Sequence, residues 1–116
     1  MAAAATELIC DSGALEDGGV GVRFVIDHAS GEKTKGFAIR YQGRVHAFQN
    51  ACRHVPVELD LIDGHFFDAN REFLVCSMHG ALYAPDTGLC VAGPCKGASL
   101  VHLAAEERDG QVYVTA

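Results

Sequence analysis

The sequence predicts an all-β fold, and three observations support that class. Apolar and polar residues alternate with a period of two over residues 20–26 and 37–41, as they do in strands with one buried face. Turn signals such as Asp17-Gly18-Gly19 separate the alternating segments, and glycine is abundant, with 13 residues in a chain of 116. No long segment shows the 3.6-residue period of an amphipathic helix. Regularly spaced strands between turns are typical of all-β domains.

The first half of the chain predicts four strands. Leu8–Cys10 is a short candidate strand, and the alternating segments 20–26 and 37–41 are the next two. Gln42-Gly43 is a candidate two-residue hairpin turn, so we expect Arg44–Gln49 to return beside the strand that precedes it.

The second half of the chain predicts shorter elements. Phe73–Val75 is an apolar strand, and Pro85–Gly88 is a turn because proline fixes φ at its start. Leu100–Leu103 and Gln111–Thr115 are expected to form a closing hairpin across Asp109-Gly110.

Length and charge restrict the function classes. A chain of 116 residues is expected to form one domain, spanning 1–116. The formal net charge of −6 argues against nucleic acid as a partner, because phosphates attract Lys and Arg. No apolar run approaches the ~20 residues of a membrane helix. The first residues lack the pattern of a signal peptide, so we expect a cytoplasmic protein. In such a protein the odd number of five cysteines favours metal binding over a disulfide framework.

Two short motifs each place one thiol and one imidazole close together in sequence. They are Cys52-Arg53-His54 and Cys76-Ser77-Met78-His79. Thiolates suit iron–sulfur clusters, and imidazole binds iron and zinc alike, so this donor set fits either a [2Fe–2S] cluster or a zinc ion. Zinc fingers usually present a cysteine pair and then a histidine pair. The mixed order favours a binuclear cluster in which each loop serves both irons.

The two motifs together resemble those of the soluble Rieske-type [2Fe–2S] ferredoxins, from about Leu8 to the C-terminus. The further matching elements are Gly80, Tyr83, Asp86-Thr87-Gly88 and Gly93-Pro94. The resemblance implies an antiparallel β sandwich or barrel with a small cluster-binding subdomain at about residues 50–95.

The resemblance also implies a role for each site residue. The chain is expected to bind one [2Fe–2S] cluster, with Cys52 and Cys76 on the buried iron and His54 and His79 on the outer iron. Gly80 is expected to approach the cluster, Tyr83 to donate toward a ligand sulfur, and Pro94 to lie in a covering loop.

Three departures from the family pattern bear on the cluster. A gap of 21 residues separates His54 from Cys76, which predicts an added turn at about Asp63–Asn70. High-potential members have a disulfide between the ligand loops, but the matching positions here are Val57 and Met78. They also have a serine hydroxyl near a bridging sulfide, where this chain has Ala81. Since donors to cluster sulfur raise the potential, we expect a low-potential cluster.

The function implied is one-electron transfer, with no catalytic residue in the chain itself. The expected partners are a flavin reductase as donor and an oxygenase component as acceptor. The docking surface is expected to be a small apolar rim at the histidine tip, formed by Val55, Pro56, Leu82 and Pro94. Two alternatives stay open: a Rieske subunit bound permanently in a larger oxidoreductase, and a structural zinc-binding module. The oligomeric state is open as well.

The remaining cysteines have no ligand spacing. Cys90 and Cys95 flank the predicted covering loop, either as a small disulfide or redox-sensitive pair, or as two packed thiols. Cys10 is expected to face the core from the first strand.

Overall fold

The computed structural model describes residues 6–53, 57–60, 63–77 and 80–116. Within these residues the secondary structure is almost entirely β, with one short 3₁₀ turn at Ser12–Ala14. The strands are β1 (Thr6–Asp11), β2 (Val22–Asp27), β3 (Lys33–Tyr41), β4 (Arg44–Gln49), β5 (Leu74–Val75), β6 (Leu82–Tyr83), β7 (Cys90–Ala92), β8 (His102–Arg108) and β9 (Gln111–Thr115). The predicted all-β class is confirmed.

The strands form two antiparallel sheets. The larger sheet has the order β1-β9-β8-β4-β3-β2, and the smaller sheet has the order β5-β6-β7. Strands β1 and β2, at the two ends of the larger sheet, also contact each other, so that sheet is nearly closed into a barrel. In the smaller sheet, β5 leads into the second cysteine–histidine motif, and β6 and β7 follow it.

Two tight turns set the register of the larger sheet. Gln42 and Gly43 both have positive φ (52° and 79°), as do Asp109 and Gly110 (52° and 76°). Two successive residues with positive φ are the signature of the type I′ turn, whose twist matches that of the strands it joins. Both predicted hairpin turns are therefore present, and β4 has the bounds that the first of them predicts.

The core has two parts. One cluster of buried side chains lies within the barrel and includes Ile26, Ala47, Val112 and Val114. The other lies between the barrel and the small sheet, where Phe37 stacks on Phe66 with ring centroids 3.9 Å apart. This second cluster also contains the two motif cysteines, so the site is built on a packed base.

The closing hairpin differs from its prediction at one strand. The sequence places that strand at Leu100–Leu103, whereas β8 runs from His102 to Arg108. Most of β8 is exposed, and Leu103 is its only buried side chain. It is held by backbone pairing with β9 on one side and β4 on the other, so its sequence carries no apolar alternation.

No helix among the described residues is long and apolar enough to cross a membrane.

Candidate metal centre

The two motifs lie in loops that close in the same way. The backbone N–H of Cys52 donates to the carbonyl of Val57 (2.8 Å), and that of Cys76 donates to the carbonyl of Ala81 (2.9 Å). We call residues 52–57 the first ligand loop and residues 76–81 the second ligand loop. Each closure joins residues five positions apart and begins at the cysteine. These backbone hydrogen bonds therefore position each thiol without a contribution from a metal.

Both cysteines are buried at the base of their loops. Cys52 is 4% exposed and Cys76 is fully buried, and both belong to the core cluster between barrel and small sheet. The predicted histidine ligands, His54 and His79, lie outside the described residues. So does Met78, one of the two positions expected to exclude a disulfide between the loops; the other, Val57, is half-buried.

The Tyr83 hydroxyl is the polar centre of the first ligand loop. It lies 3.2 Å from the Cys52 sulfur and accepts the backbone N–H of Arg53 at 3.0 Å. It also lies 3.0 Å from the Cys95 sulfur. Burial raises the pKa of this hydroxyl well above its usual range, and the hydrogen bonds with the two cysteines add to the effect. Tyr83 therefore keeps its proton and can donate it to a neighbouring sulfur.

Cys90 and Cys95 come together beside that tyrosine. Both are free thiols, and their sulfur atoms are 3.1 Å apart, with Cys95 as the donor. The Cys90 thiol in turn donates to the carbonyl of Ala92 at 3.2 Å. Burial is the largest cause that raises the pKa of Cys90 to about 11, so this thiol is protonated at neutral pH. Cys10 is half-buried and packs against the barrel core.

A buried polar pair anchors the segment between the ligand loops. The Asn50 side-chain amide donates to an Asp60 carboxylate oxygen at 3.0 Å, and its carbonyl accepts the N–H of Leu59 at 2.9 Å. The other Asp60 oxygen accepts the N–H of Gly64 at 2.9 Å and faces the Arg23 guanidinium at 3.5 Å. These contacts satisfy polar groups that burial would otherwise leave without partners.

The same segment joins the two ligand loops. The Leu59 carbonyl accepts the backbone N–H of Ser77, in the second loop, at 3.0 Å. Leu59 is therefore linked to Asn50, just before the first loop, and directly to the second loop. Beyond it come the predicted turn at Asp63-Gly64 and a small hairpin in which Phe67 pairs with Leu74. The long gap thus supplies a connector between the loops as well as an added turn.

The predicted covering loop lies against the second ligand loop. A Cβ added to Gly93 would be 2.8 Å from Cα and 3.2 Å from Cβ of Ala81, and Gly93 has a φ of 103°. Only glycine fits both the conformation and the space. Pro94 is exposed. Gly80 also has a positive φ, 71°, but the space where a Cβ would lie is open.

Two features of the site were missed by the sequence analysis. The Asn50–Asp60 pair links residues ten positions apart, and neither residue lies in a recognisable motif. The contact between Cys95 and Tyr83 was also missed, although the proximity of Cys95 to the covering loop was a signal that could have suggested it.

Comparisons with known proteins place this geometry in context. A family model described as the Rieske [2Fe-2S] domain matches residues 6–114. A search of curated protein sequences found no match.

Solved structures show the same fold. The ferredoxin of carbazole 1,9a-dioxygenase from Nocardioides aromaticivorans IC177 matches with a TM-score of 0.70 and 20% identity, over 94% of this chain and 95% of that one. The Sphingomonas yanoikuyae B1 ferredoxin matches with a TM-score of 0.70 and 18% identity, over 97% and 99%. One chain of the complex of reduced oxygenase and oxidized ferredoxin in carbazole 1,9a-dioxygenase matches with a TM-score of 0.69 and 20% identity, over 94% and 91%.

Proposed function

The chain belongs to the family of Rieske [2Fe–2S] domains, and we propose that the two ligand loops hold its single cluster. The ligands in this proposal are Cys52, His54, Cys76 and His79. Membership confirms the family resemblance and decides between the two metal sites considered above, in favour of the iron–sulfur cluster over zinc. The described part of the site fits the cluster, because each of the two matching loops begins at a buried thiol, and both thiols belong to one core cluster.

The function of the bound cluster is one-electron transfer. A [2Fe–2S] centre supplies a one-electron couple whose potential depends on its ligands and on the hydrogen bonds to its sulfurs. The observation that carries this proposal for the chain's own residues is the Tyr83 hydroxyl, 3.2 Å from the Cys52 sulfur. A protonated hydroxyl in that position would stabilise the added negative charge of a reduced cluster bound there.

We propose an oxygenase component as the electron acceptor and a flavin reductase as the donor. The support is the similarity to two ferredoxins and to a chain of an oxygenase–ferredoxin complex. Two residues of the proposed docking rim are described: Leu82 is half-buried and Pro94 is exposed. The other two, Val55 and Pro56, lie outside the described residues. A cytoplasmic location is also part of the proposal.

The cluster is tested by spectroscopy of the purified protein. The dithionite-reduced protein is expected to give an EPR signal with the low average g of a mixed His/Cys-ligated cluster. A colourless protein that contains zinc, or a signal typical of four cysteine ligands, would contradict the assignment.

Electron transfer is tested by mixing the reduced protein rapidly with the oxygenase component of a ring-hydroxylating system. Wild type is expected to re-oxidise, and Leu82→Glu to do so more slowly with an unchanged absorbance spectrum. The matched control is Leu8→Glu, at a side chain in β1 that is 51% exposed and outside both ligand loops. Equal rates for the two variants would refute the rim. No transfer by the wild type would refute the acceptor class.

A further inference from the structure

We propose that Cys90 and Cys95 form a reversible disulfide whose state controls the hydrogen bond that Tyr83 gives to the Cys52 sulfur. The two thiols are free and their sulfur atoms are 3.1 Å apart. This is a modification site distinct from the proposed ligands, and it does not depend on which protein accepts the electron.

The local backbone brings the two thiols together. Two backbone hydrogen bonds join Cys90 to the far end of its loop. Its N–H donates to the carbonyl of Ala98 (2.7 Å), and its carbonyl accepts the N–H of Gly97 (3.0 Å). Cys95 lies within the loop thus closed. A disulfide requires a sulfur separation near 2.05 Å, so each sulfur needs to move by only about half an ångström.

The two thiols differ in access. Cys90 is 1% exposed, whereas Cys95 is half-buried at the surface of the loop. An oxidant from solution therefore meets Cys95 first, and Cys90 is placed to resolve the product. A pair of this kind, one accessible thiol and one adjacent buried thiol, is the arrangement that redox-sensitive cysteines use.

The reaction balances with a low-molecular-weight disulfide as oxidant. The Cys95 thiolate attacks one sulfur of that disulfide, forms a mixed disulfide and releases the first small thiol. Cys90 then gives up its proton and attacks the Cys95 sulfur, which releases the second small thiol and closes the Cys90–Cys95 bond. In sum, two protein thiols are oxidised to a disulfide and one small disulfide is reduced to two thiols.

The disulfide is linked to the cluster through the hydrogen bonds of the Tyr83 hydroxyl. The Tyr83 oxygen has three hydrogen-bond neighbours: the Arg53 N–H, which donates to it, and the sulfurs of Cys52 and Cys95. With Cys95 as a thiol, its S–H donates to the Cys90 sulfur, so the tyrosine proton is shared between the sulfurs of Cys52 and Cys95. The hydrogen bonds from Cys95 to Cys90 and from Cys90 to the Ala92 carbonyl strengthen one another and make the Cys95 sulfur a better acceptor.

Oxidation changes this arrangement. A disulfide has no S–H, so the chain of hydrogen bonds through Cys90 is lost, and the Cys95 sulfur becomes a weaker acceptor as it moves toward Cys90. The tyrosine proton then goes more fully to the Cys52 sulfur, which would stabilise the reduced, more negative cluster. Closing the disulfide is therefore expected to shift the potential of the cluster to a more positive value.

The first experiment detects the disulfide without reference to electron transfer. The cluster-loaded protein is equilibrated anaerobically with graded ratios of reduced and oxidised glutathione, quenched in acid, alkylated and digested with trypsin. The expected peptide, Glu72–Lys96, contains Cys76, Cys90 and Cys95. Alkylation of Cys90 and Cys95 is expected to fall together as the buffer becomes more oxidising, with Cys76 still alkylated. Full alkylation of both at every ratio would overturn the proposal.

The second experiment measures the potential of the same samples by voltammetry. Wild type is expected to show a positive shift on oxidation that reduced glutathione reverses. Cys90→Ala keeps Cys95 beside Tyr83 but cannot close the bond, so its potential should not respond. Tyr83→Phe should form the disulfide and show no shift, while Cys10→Ala should behave like wild type. A wild-type potential that ignores a fully formed disulfide, or a shift that persists in Tyr83→Phe, would overturn the link through Tyr83.

Discussion

The two ligand loops share one backbone closure but differ in what surrounds the cysteine. The first has a side-chain neighbour, since the Tyr83 hydroxyl reaches the Cys52 sulfur. The second is covered by backbone, since Gly93 lies against Ala81 with no room for a side chain. One loop is thus tuned by a hydrogen bond and the other is protected by close packing. Substitutions around the first loop should change the potential, and substitutions around the second should change stability.

The largest expected effect tests the packing of the second loop. Gly93→Ala places a Cβ 2.8 Å from Ala81 Cα at a φ of 103°. Strain and overpacking together should lower the free energy of unfolding by about 2–4 kcal/mol. The measurement is an anaerobic urea titration followed by circular dichroism and visible absorbance.

The matched control for that variant is Gly97→Ala. Gly97 has a similar φ, 95°, but no atom lies within 4 Å of the added Cβ. The Gly97→Ala variant should therefore lose only the part of the free energy of unfolding that backbone strain accounts for. An equal loss of stability in both variants would mean that contact with Ala81 plays no part.

The next effect tests the connector between the loops. Asn50→Ala removes the partner of the Leu59 N–H and of one Asp60 oxygen, both in a buried region. Leaving such groups without partners should cost about 1–3 kcal/mol, and it should affect both loops. Urea unfolding measures the loss, and faster bleaching of the cluster at fixed temperature is its second sign. Unchanged stability together with unchanged bleaching would show that the connector is dispensable.

A smaller effect tests the hydrogen bond at the first loop. Tyr83→Phe removes a hydroxyl that lies 3.2 Å from the Cys52 sulfur. A net hydrogen bond of about 0.5–1.5 kcal/mol corresponds to a fall in potential of roughly 20–65 mV for one electron. Voltammetry under reducing conditions measures the shift. A potential that stays the same or rises would remove the distinction between the loops.

The smallest effect lies outside both loops and serves as a reference for them. Hydrogen bonding to Arg40, at 2.6 Å, lowers the pKa of Glu107 to about 2 from an ordinary value of 4.5. Because the folded-state pKa is the lower one, the ion pair stabilises the protein fully above pH 4.5, and that contribution is lost as the pH falls toward 2.

Glu107→Gln should therefore reduce stability at neutral pH by less than about 1 kcal/mol, because the pair is partly exposed. The difference from wild type should vanish near pH 2, as acid titrations monitored by circular dichroism can show. A difference that grows toward low pH would have the wrong sign for this ion pair. The cluster potential should be unaffected.

The difference between the loops also explains what the sequence could predict. Local chemistry was readable: Gln42-Gly43 and Asp109-Gly110 adopt the positive φ values that their residue types favour, and β4 follows from the first of them. The cysteines were identified by their motif spacing. The backbone covering of the second loop was anticipated only as far as the Gly93-Pro94 pattern, and the contact with Ala81 required the structure.

Contacts between residues that lie far apart in the sequence could not be predicted from it. The small sheet is built from strands of two or three residues, too short to show any alternation. Asn50 and Asp60 look like ordinary surface residues until the fold buries them together. The thiol pair Cys90 and Cys95 was left with both of its alternatives open, because their separation depends on how the loop turns back.

The hydrogen bond between Ser77 and Leu59 has a consequence for the speed of electron transfer. It ties the second loop to the segment that Asn50 anchors before the first loop, so the two cysteines keep one relative position. A protein that holds its ligands in the same place in both oxidation states spends little energy on rearranging them when the electron arrives. We therefore expect a small reorganisation energy and rapid self-exchange between oxidised and reduced molecules.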